Sequence, residues 1–297
     1  MTEPIGETAR VFRFAPSPNG FLHLGHAFSA LFNRKLARAC GGTLLLRIED
    51  IDPVRTRRIY EAALIEDLDW LGLIWSGTPR RQSEHMADYR GALEGLARRG
   101  LVYPCFCSRG DIAKNCGGGQ DWPRDPDGAF LYPGTCRELT SAQQKTRIEA
   151  GARASWRLDM AKALGEIGGP LSYREFHEGD AARIVTAEPS AWGDALIGRR
   201  DAPASYHLAC VLDDHAQGVT DVVRGADLEP ATGLHRLLQA LFGLGAPSYH
   251  HHRLVLDDEG RKLSKSKSSP SLRDLRRQGR SAADLRAELS RRMQVEL

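Results

Sequence analysis

No apolar run in the 297 residues reaches membrane-spanning length, and the start, Met1-Thr2-Glu3-Pro4, has neither a basic n-region nor an apolar h-region. The expected location is therefore the cytoplasm, with no membrane partner. Gly-Lys-Ser/Thr of a phosphate-binding Walker loop is missing, which argues against P-loop chemistry. Cysteine is sparse: six residues in a chain of this size suit thiols or metal ligands better than a disulfide framework. His215 stands beside Asp213 and Asp214, but no nucleophilic Ser or Cys motif accompanies it, so it reads as structural.

What remains is an ordinary globular composition, 41% hydrophobic and 27% charged, long enough for one large or two modest domains. The net charge of +3 is unevenly spread. From Arg261 to Leu297 there are 11 Lys/Arg against 4 Asp/Glu, leaving 30 against 34 elsewhere. A basic end on a mildly acidic body suits a polyanion partner, although two surface helices, Leu272–Gln278 and Ala282–Met293, would explain the same residues.

The informative stretch runs from Arg13 to His26. Val11 to Ala15 reads as a short buried strand. Phe28, Leu31, Phe32, Leu36 and Ala39 then recur at helical spacing until Gly41-Gly42, and Thr43 to Glu49 is strand-like again. This is a nucleotide-binding type of βαβ unit with its loop at the carboxyl end of the first strand. Pro16 and Pro18 stiffen the loop, Gly20 and Gly25 admit a close ligand, and the helix start should offer N–H groups to an anion. His23 and His26 add donors; a helix-capping turn with two surface histidines is the plainer alternative.

Three later segments carry chemistry. Arg47 to Pro53 lies after the second strand, where Glu49 could meet an ammonium group or simply form an acidic turn. Ser205 to Asp214 reads as a strand leading into acidic residues, and Gly218 to Leu228 as a buried strand ending on Arg224-Gly225-Ala226-Asp227. Read alone, Tyr206 is a core residue and Arg224 an ion-pair partner of Asp227; an arginine there could also clamp a carboxylate. His250-His251-His252 reads as a polar strand edge rather than a metal site. Lys262-Leu263-Ser264-Lys265-Ser266 follows a glycine and looks like a mobile, lysine-bearing loop.

His23-Leu24-Gly25-His26 and Lys262 to Ser266, at opposite ends of the chain, together resemble the HIGH and KMSKS signatures of class I aminoacyl-tRNA synthetases, with Leu263 in place of methionine. The Asp50-Ile51-Asp52-Pro53 form resembles the glutamyl-Q tRNA(Asp) synthetase family, short paralogues of glutamyl-tRNA synthetase. The resemblance runs from about Arg10 to Asp284. It implies an α/β fold: a Rossmann-like doubly wound parallel sheet with an inserted acceptor-binding-type subdomain and a short helical C-terminal extension. On that basis residues 1–102 and 191–250 form the halves of the catalytic domain, 103–190 the zinc-binding insertion, and 251–297 the lysine loop and helical end. Only 31 residues follow Ser266, so no anticodon-binding domain is expected there.

The resemblance also implies roles. His23, Gly25 and His26 would hold the ATP phosphates with Lys262 and Lys265; His23, His26 and Lys265 would be catalytic, Lys265 closing over the leaving pyrophosphate. Arg13, Phe14, Ala15, Pro16 and Ser17 would line the glutamate pocket with Glu49, Tyr206 and Arg224. There Glu49 would meet the α-amino group, Tyr206 would hydrogen-bond the substrate and Arg224 would take a carboxylate. Arg13 would be a second guanidinium for the side-chain carboxylate. Two arginines and one glutamate suit a dianionic acid with one ammonium. Glutamine would leave a buried guanidinium without its charged partner. Mg2+ would arrive with ATP.

Cys105-Phe106-Cys107 precedes a long Gly-, Pro- and Asp-rich stretch and then Tyr132-Pro-Gly-Thr-Cys136. Three thiolates and one further donor would fill a tetrahedral zinc site, and the residues alone leave the fourth donor open, because Cys116 lies between them. The family pattern, Cys-x-Cys then Tyr-x-x-x-Cys, is matched by Cys105, Cys107, Tyr132 and Cys136, with a longer interval than usual. The implied activity is tRNA-independent activation of L-glutamate by ATP and transfer to the queuosine base of tRNA(Asp), by a monomer. The alternatives are a minimal glutamyl-tRNA synthetase acting on the tRNA 3′ end, a nucleotidyltransferase sharing His-x-Gly-His, and a non-catalytic RNA-binding module.

Overall fold

The computed structural model describes residues 9–118, 121–176, 182–257, 260 and 270–297. The chain opens with β1 (Val11–Phe14), α1 (Leu24–Ala39), β2 (Thr43–Ile48), α2 (Arg58–Trp70), β3 (Arg80–Arg81) and α3 (Met86–Arg98). Next come β4 (Val102–Cys105), α4 (Arg109–Asn115), α5 (Ser141–Glu149), β5 (Ser155–Leu158), α6 (Met160–Ile167), β6 (Ser172–Glu175) and β7 (Arg183–Thr186). It closes with β8 (Leu196–Gly198), α7 (Tyr206–Ala216), β9 (Asp221–Gly225), α8 (Ala231–Leu241), β10 (Ser248–His252), α9 (Leu272–Arg277) and α10 (Ala282–Met293).

Seven strands form one sheet in the order β3-β2-β1-β9-β10-β6-β7, parallel except for the β6–β7 hairpin. Strand β1 pairs with β2 on one side and with β9, from the far half of the chain, on the other. Such a switch in strand order opens a crevice at the carboxyl ends of the strands, the usual ligand position in an open α/β sheet. The expected α/β doubly wound architecture is thus what the chain adopts.

One apolar layer joins α1, β1, β2 and α2 to the C-terminal helices through Leu272, Leu275, Leu285 and Leu289. The basic end therefore has a core-facing side, and Arg276 pairs with Glu66 at 2.9 Å and Asp67 at 3.4 Å. The other face is covered by α3, α7 and α8, which meet the antiparallel sheet β4-β5-β8. The expected insertion at 103–190 is not a separate block in the strand order: β6 and β7 return to the large sheet, and β8 lies beyond residue 190.

Two local expectations are corrected. Residues 206–216 form helix α7, not a strand. The run His207 to Leu212 has no polar face to reveal a period of 3.6, because α7 is covered by neighbours on several sides, and short apolar runs are ambiguous between the two states. His250–His252 belongs to β10, which is interior between β9 and β6 rather than an edge. Its histidines are accommodated by polar partners, His250 by Asp221 at 3.3 Å and His251 by Glu175 at 2.6 Å.

Candidate active site

An open cleft of about 450 Å3 lies at the carboxyl ends of β1 and β9, within the ~300–1,000 Å3 typical of small-molecule sites. Its lining includes Arg13, Phe14, Ala15, Pro16 and Ser17, then His23, Gly25 and His26, and Glu49, Tyr206 and Arg224. Four distant stretches of sequence thus converge on one crevice. Lys262 and Lys265 lie outside the described residues.

The two histidines shape the start of α1. His23 is its N-cap, and its Nδ1 accepts from the Gly25 N–H at 3.1 Å, while His26 Nδ1 accepts from the His23 N–H at 3.2 Å. The capping reading is therefore literally true, and it has a consequence. With Nδ1 accepting, the neutral rings carry their proton on Nε2, so each histidine is an Nε2–H donor. The Gly25 amide is occupied by His23, and the His26 amide donates to the His23 carbonyl at 2.9 Å. The anion-binding capacity expected of the free helix start is thereby shifted toward the side chains.

Behind the cleft sits a buried charge network that sequence reasoning passed over. Asp214 Oδ1 accepts from Arg13 Nε at 3.0 Å and from Arg47 Nη1 at 2.6 Å. Arg47 also donates to Glu49 Oε1 at 3.1 Å. Asp213 accepts from Tyr89 at 2.9 Å, Arg80 at 2.8 Å and Gln82 at 2.8 Å. Burial alone would raise the Asp214 carboxyl, but Arg13 and Arg47 hold it below its ordinary range. Burial pushes Glu49 upward, with Arg47 and Arg13 pulling back. Once 206–216 is known to be helical, Tyr206, Cys210 and Asp214 fall at i, i+4 and i+8 on one face; that period was the missed signal.

Arg224 differs from its neighbours. Its residue is 4% exposed, and among the described residues it makes no ion pair within 4.0 Å. The Asp227 pairing that local sequence suggested is not formed. Instead Nη1 donates to the Tyr206 hydroxyl at 3.3 Å and His235 Nδ1 at 3.4 Å, Nη2 donates to Thr232 Oγ1 at 2.7 Å, and Nε has no partner. Arg13 is neutralised by Asp214; among the described residues Arg224 is held by neutral acceptors alone. A buried cation without an internal anion at the wall of a cleft is suited to a ligand carboxylate.

A second centre lies beyond β4. The sulfurs of Cys105, Cys107 and Cys136 lie within 4.8 Å of one another, with Cys107 and Cys136 3.6 Å apart. Thiolates around tetrahedral zinc, each at about 2.3 Å, are separated by roughly 3.8 Å, so this spacing fits. Tyr132 Oη is 3.5 Å from Cys107 Sγ and accepts the Cys136 N–H at 2.8 Å. Arg157 lies over the Tyr132 ring at 3.9 Å, while burial and the neighbouring Cys105, Cys136 and Cys107 push the phenol well above its ordinary range. Cys116 is buried but stands outside this trio, with its sulfur 4.0 Å from the Leu131 carbonyl. Three thiolates and a phenol form a donor set that suits zinc.

Residues 10–295 match the family model for the catalytic domain of class I tRNA synthetases (E and Q). The chain belongs to that family, and it is accordingly an ATP-dependent ligase of the aminoacyl-tRNA synthetase type, in a family that activates glutamate and uses ATP with Mg2+. Within it, the chain is 46% identical over 281 residues to a protein from Rhodobacter capsulatus named glutamyl-Q tRNA(Asp) synthetase, covering 93% of this chain and 98% of that one. A protein of the same name from Nitratidesulfovibrio vulgaris is 38% identical, over 94% of this chain and 84% of its own length. Among solved structures, a glutamate tRNA ligase from Elizabethkingia meningosepticum, in complex with its amino acid, superposes with a TM-score of 0.70 at 26% identity, covering 92% of this chain. The chain spans 54% of that longer ligase. Among the described residues, no helix is long and apolar enough to cross a membrane.

Proposed function

We propose that the protein activates L-glutamate with ATP, without requiring tRNA, and transfers the glutamyl group to the queuosine base in the anticodon loop of tRNA(Asp). The observation that carries the glutamate reading is Arg224, a buried guanidinium facing the cleft without a carboxylate partner among the described residues. Glutamate brings two carboxylates and one ammonium. Arg224 is the cation assigned to a carboxylate, with Arg13, already paired to Asp214, as a second guanidinium on the cleft wall, and Glu49, which also accepts from Arg47, is assigned to the ammonium. Glutamine would leave one desolvated cation unmatched, a loss of several kcal/mol on the scale of broken buried pairs, on the order of 3–5 kcal/mol.

In the first step a glutamate α-carboxylate oxygen attacks the α-phosphorus of ATP; the new P–O bond forms as the bond to pyrophosphate breaks. A carboxylate nucleophile needs no general base, so the protein's task is positioning and stabilising phosphate charge. His23 and His26, as Nε2–H donors beside Gly25, are assigned to the phosphates, with Mg2+ carried by the nucleotide. Lys265 is assigned to the pyrophosphate and Lys262 to assist it. In the second step a queuosine hydroxyl attacks the activated carbonyl, AMP leaves with the bonding electrons, and the hydroxyl proton passes to the substrate's phosphate. Cys105, Cys107, Tyr132 and Cys136 would hold a structural zinc ion that cross-links the strand end to its long excursion.

The near-complete coverage of relatives named glutamyl-Q tRNA(Asp) synthetase supports queuosine as acceptor. A second reading, charging of the tRNA 3′ end, draws on a 37% identical Syntrophus aciditrophicus protein named glutamate--tRNA ligase 2, of which this chain spans 54%. Incubation with ATP, labelled glutamate and tRNA(Asp) with or without queuosine separates them. Label confined to the queuosine-bearing tRNA is expected; equal labelling of both, with label on the terminal ribose, would sink the proposal.

A further inference from the structure

Two chains of hydrogen bonds run outward from Arg224, and their directions can be fixed by chemistry. Arginine only donates. His235 Nδ1, 3.4 Å from Arg224 Nη1, must therefore be an acceptor, and a doubly protonated imidazolium could not occupy this place. The ring proton then sits on Nε2, which donates to His207 Nδ1 at 3.2 Å. On the other arm Thr232 Oγ1 accepts from Arg224 Nη2, so its hydrogen turns to His251 Nε2 at 3.0 Å, and His251 Nδ1–H donates to Glu175 at 2.6 Å.

The arrangement has a physical logic. A carboxylate beside Arg224 would orient it and also neutralise it, competing with the ligand. Neutral acceptors orient the guanidinium and leave its charge uncancelled, and the nearest anion on the second arm, Glu175, is two residues further along the chain of bonds. The groups facing His235 are consistent with a neutral ring: Arg224 from β9, Tyr206 and His207 from α7, with Arg13 and Arg47 beyond. Its buried side chain is 2% exposed.

We propose that His235 is the positioning residue for Arg224, locked as its Nε2–H tautomer by His207, and that it sets the preference of the cleft for a carboxylate over an amide. The inference rests on reading the cleft as a glutamate site. It implies that His235 acts through Arg224 without touching the substrate.

The test combines glutamate-dependent ATP–pyrophosphate exchange with nitrogen-15 NMR of the histidine rings. His235→Leu removes the acceptor. It is expected to raise KM for glutamate by about 10- to 100-fold, the scale of one hydrogen bond to a charged group, leave KM for ATP unchanged, and narrow the glutamate-over-glutamine ratio. His235→Asn places an amide oxygen near the Nδ1 position and should restore most of the loss. The wild-type His235 ring should show the Nε2–H form at neutral pH. Unchanged glutamate KM in a folded His235→Leu protein, an Asn variant no better than Leu, or an Nδ1–H ring would each overturn the proposal. Should His235→Leu fail to fold, the Asn variant and the wild-type spectrum still decide. A wild type lacking glutamate-dependent exchange would instead overturn the glutamate reading, and the preference set by His235 with it, while the ring spectrum separately decides whether His235 holds Arg224.

Discussion

Arg47 Nη1 and Asp214 Oδ1 lie 2.6 Å apart with Arg47 wholly buried, and the same oxygen also receives Arg13 at 3.0 Å. One carboxylate thus serves two guanidiniums under the floor of the cleft. Asp214→Asn keeps the shape and removes the charge, leaving two buried cations poorly matched. A loss of about 3–5 kcal/mol is expected, seen as a lower urea midpoint at unchanged slope. A midpoint within error of wild type would show that the network is not a stability element.

Arg224 should behave in the opposite way. Its burial is uncompensated by an ion pair among the described residues, so Arg224→Met exchanges a costly buried cation for an apolar chain of similar length. The melting temperature is expected to stay level or rise, while glutamate-dependent pyrophosphate exchange falls by about 100-fold or more, the scale of truncating a buried charged pair. Simultaneous loss of fold and activity would contradict this separation.

Removing metal should loosen the excursion between β4 and β5. Protein purified without chelator is expected to carry one zinc per chain by elemental analysis. Cys136→Ser should lower both zinc content and stability, by about 2 kcal/mol or roughly 5 °C. Cys116→Ser should retain the metal, because Cys116 stands apart from the sulfur trio. The reverse pattern would reassign the fourth donor.

Acid should destabilise the protein through its buried histidines, against an opposing contribution from Asp67, whose carboxyl is pushed up to about 6 by burial. Burial, assisted by Arg224, brings His207 down to about 3, and His251 falls to about 4 for the same reasons despite Glu175. The unfolded chain takes up protons near pH ~6.5 while the folded state does not, so stability rises with pH between these values and is complete above ~6.5. Melting temperature should fall steadily from pH 7 to 4.5. His207→Asn, which keeps an acceptor for His235, should flatten that slope; an identical slope would remove His207 from the explanation.

The sequence alone determined the βαβ unit, the loop from Arg13 to His26 and the cysteine spacing, because each depends on local periodicity, turn chemistry or donor type. It also placed Tyr206 and Arg224 in the pocket, but by resemblance rather than by physics. The helical state of 206–216 was not legible: burial on several sides erased the polar face that marks a helix. Nor were the roles of Arg47, Asp214, Thr232 and His235, whose partners are far away in the chain. Whether a buried arginine is neutralised, as Arg13 is, or left charged for a ligand, as Arg224 is, depends on which side chains the sheet order brings within hydrogen-bonding reach. Tertiary structure decided that, because charge compensation is a property of distances across strands and helices rather than of residue identity.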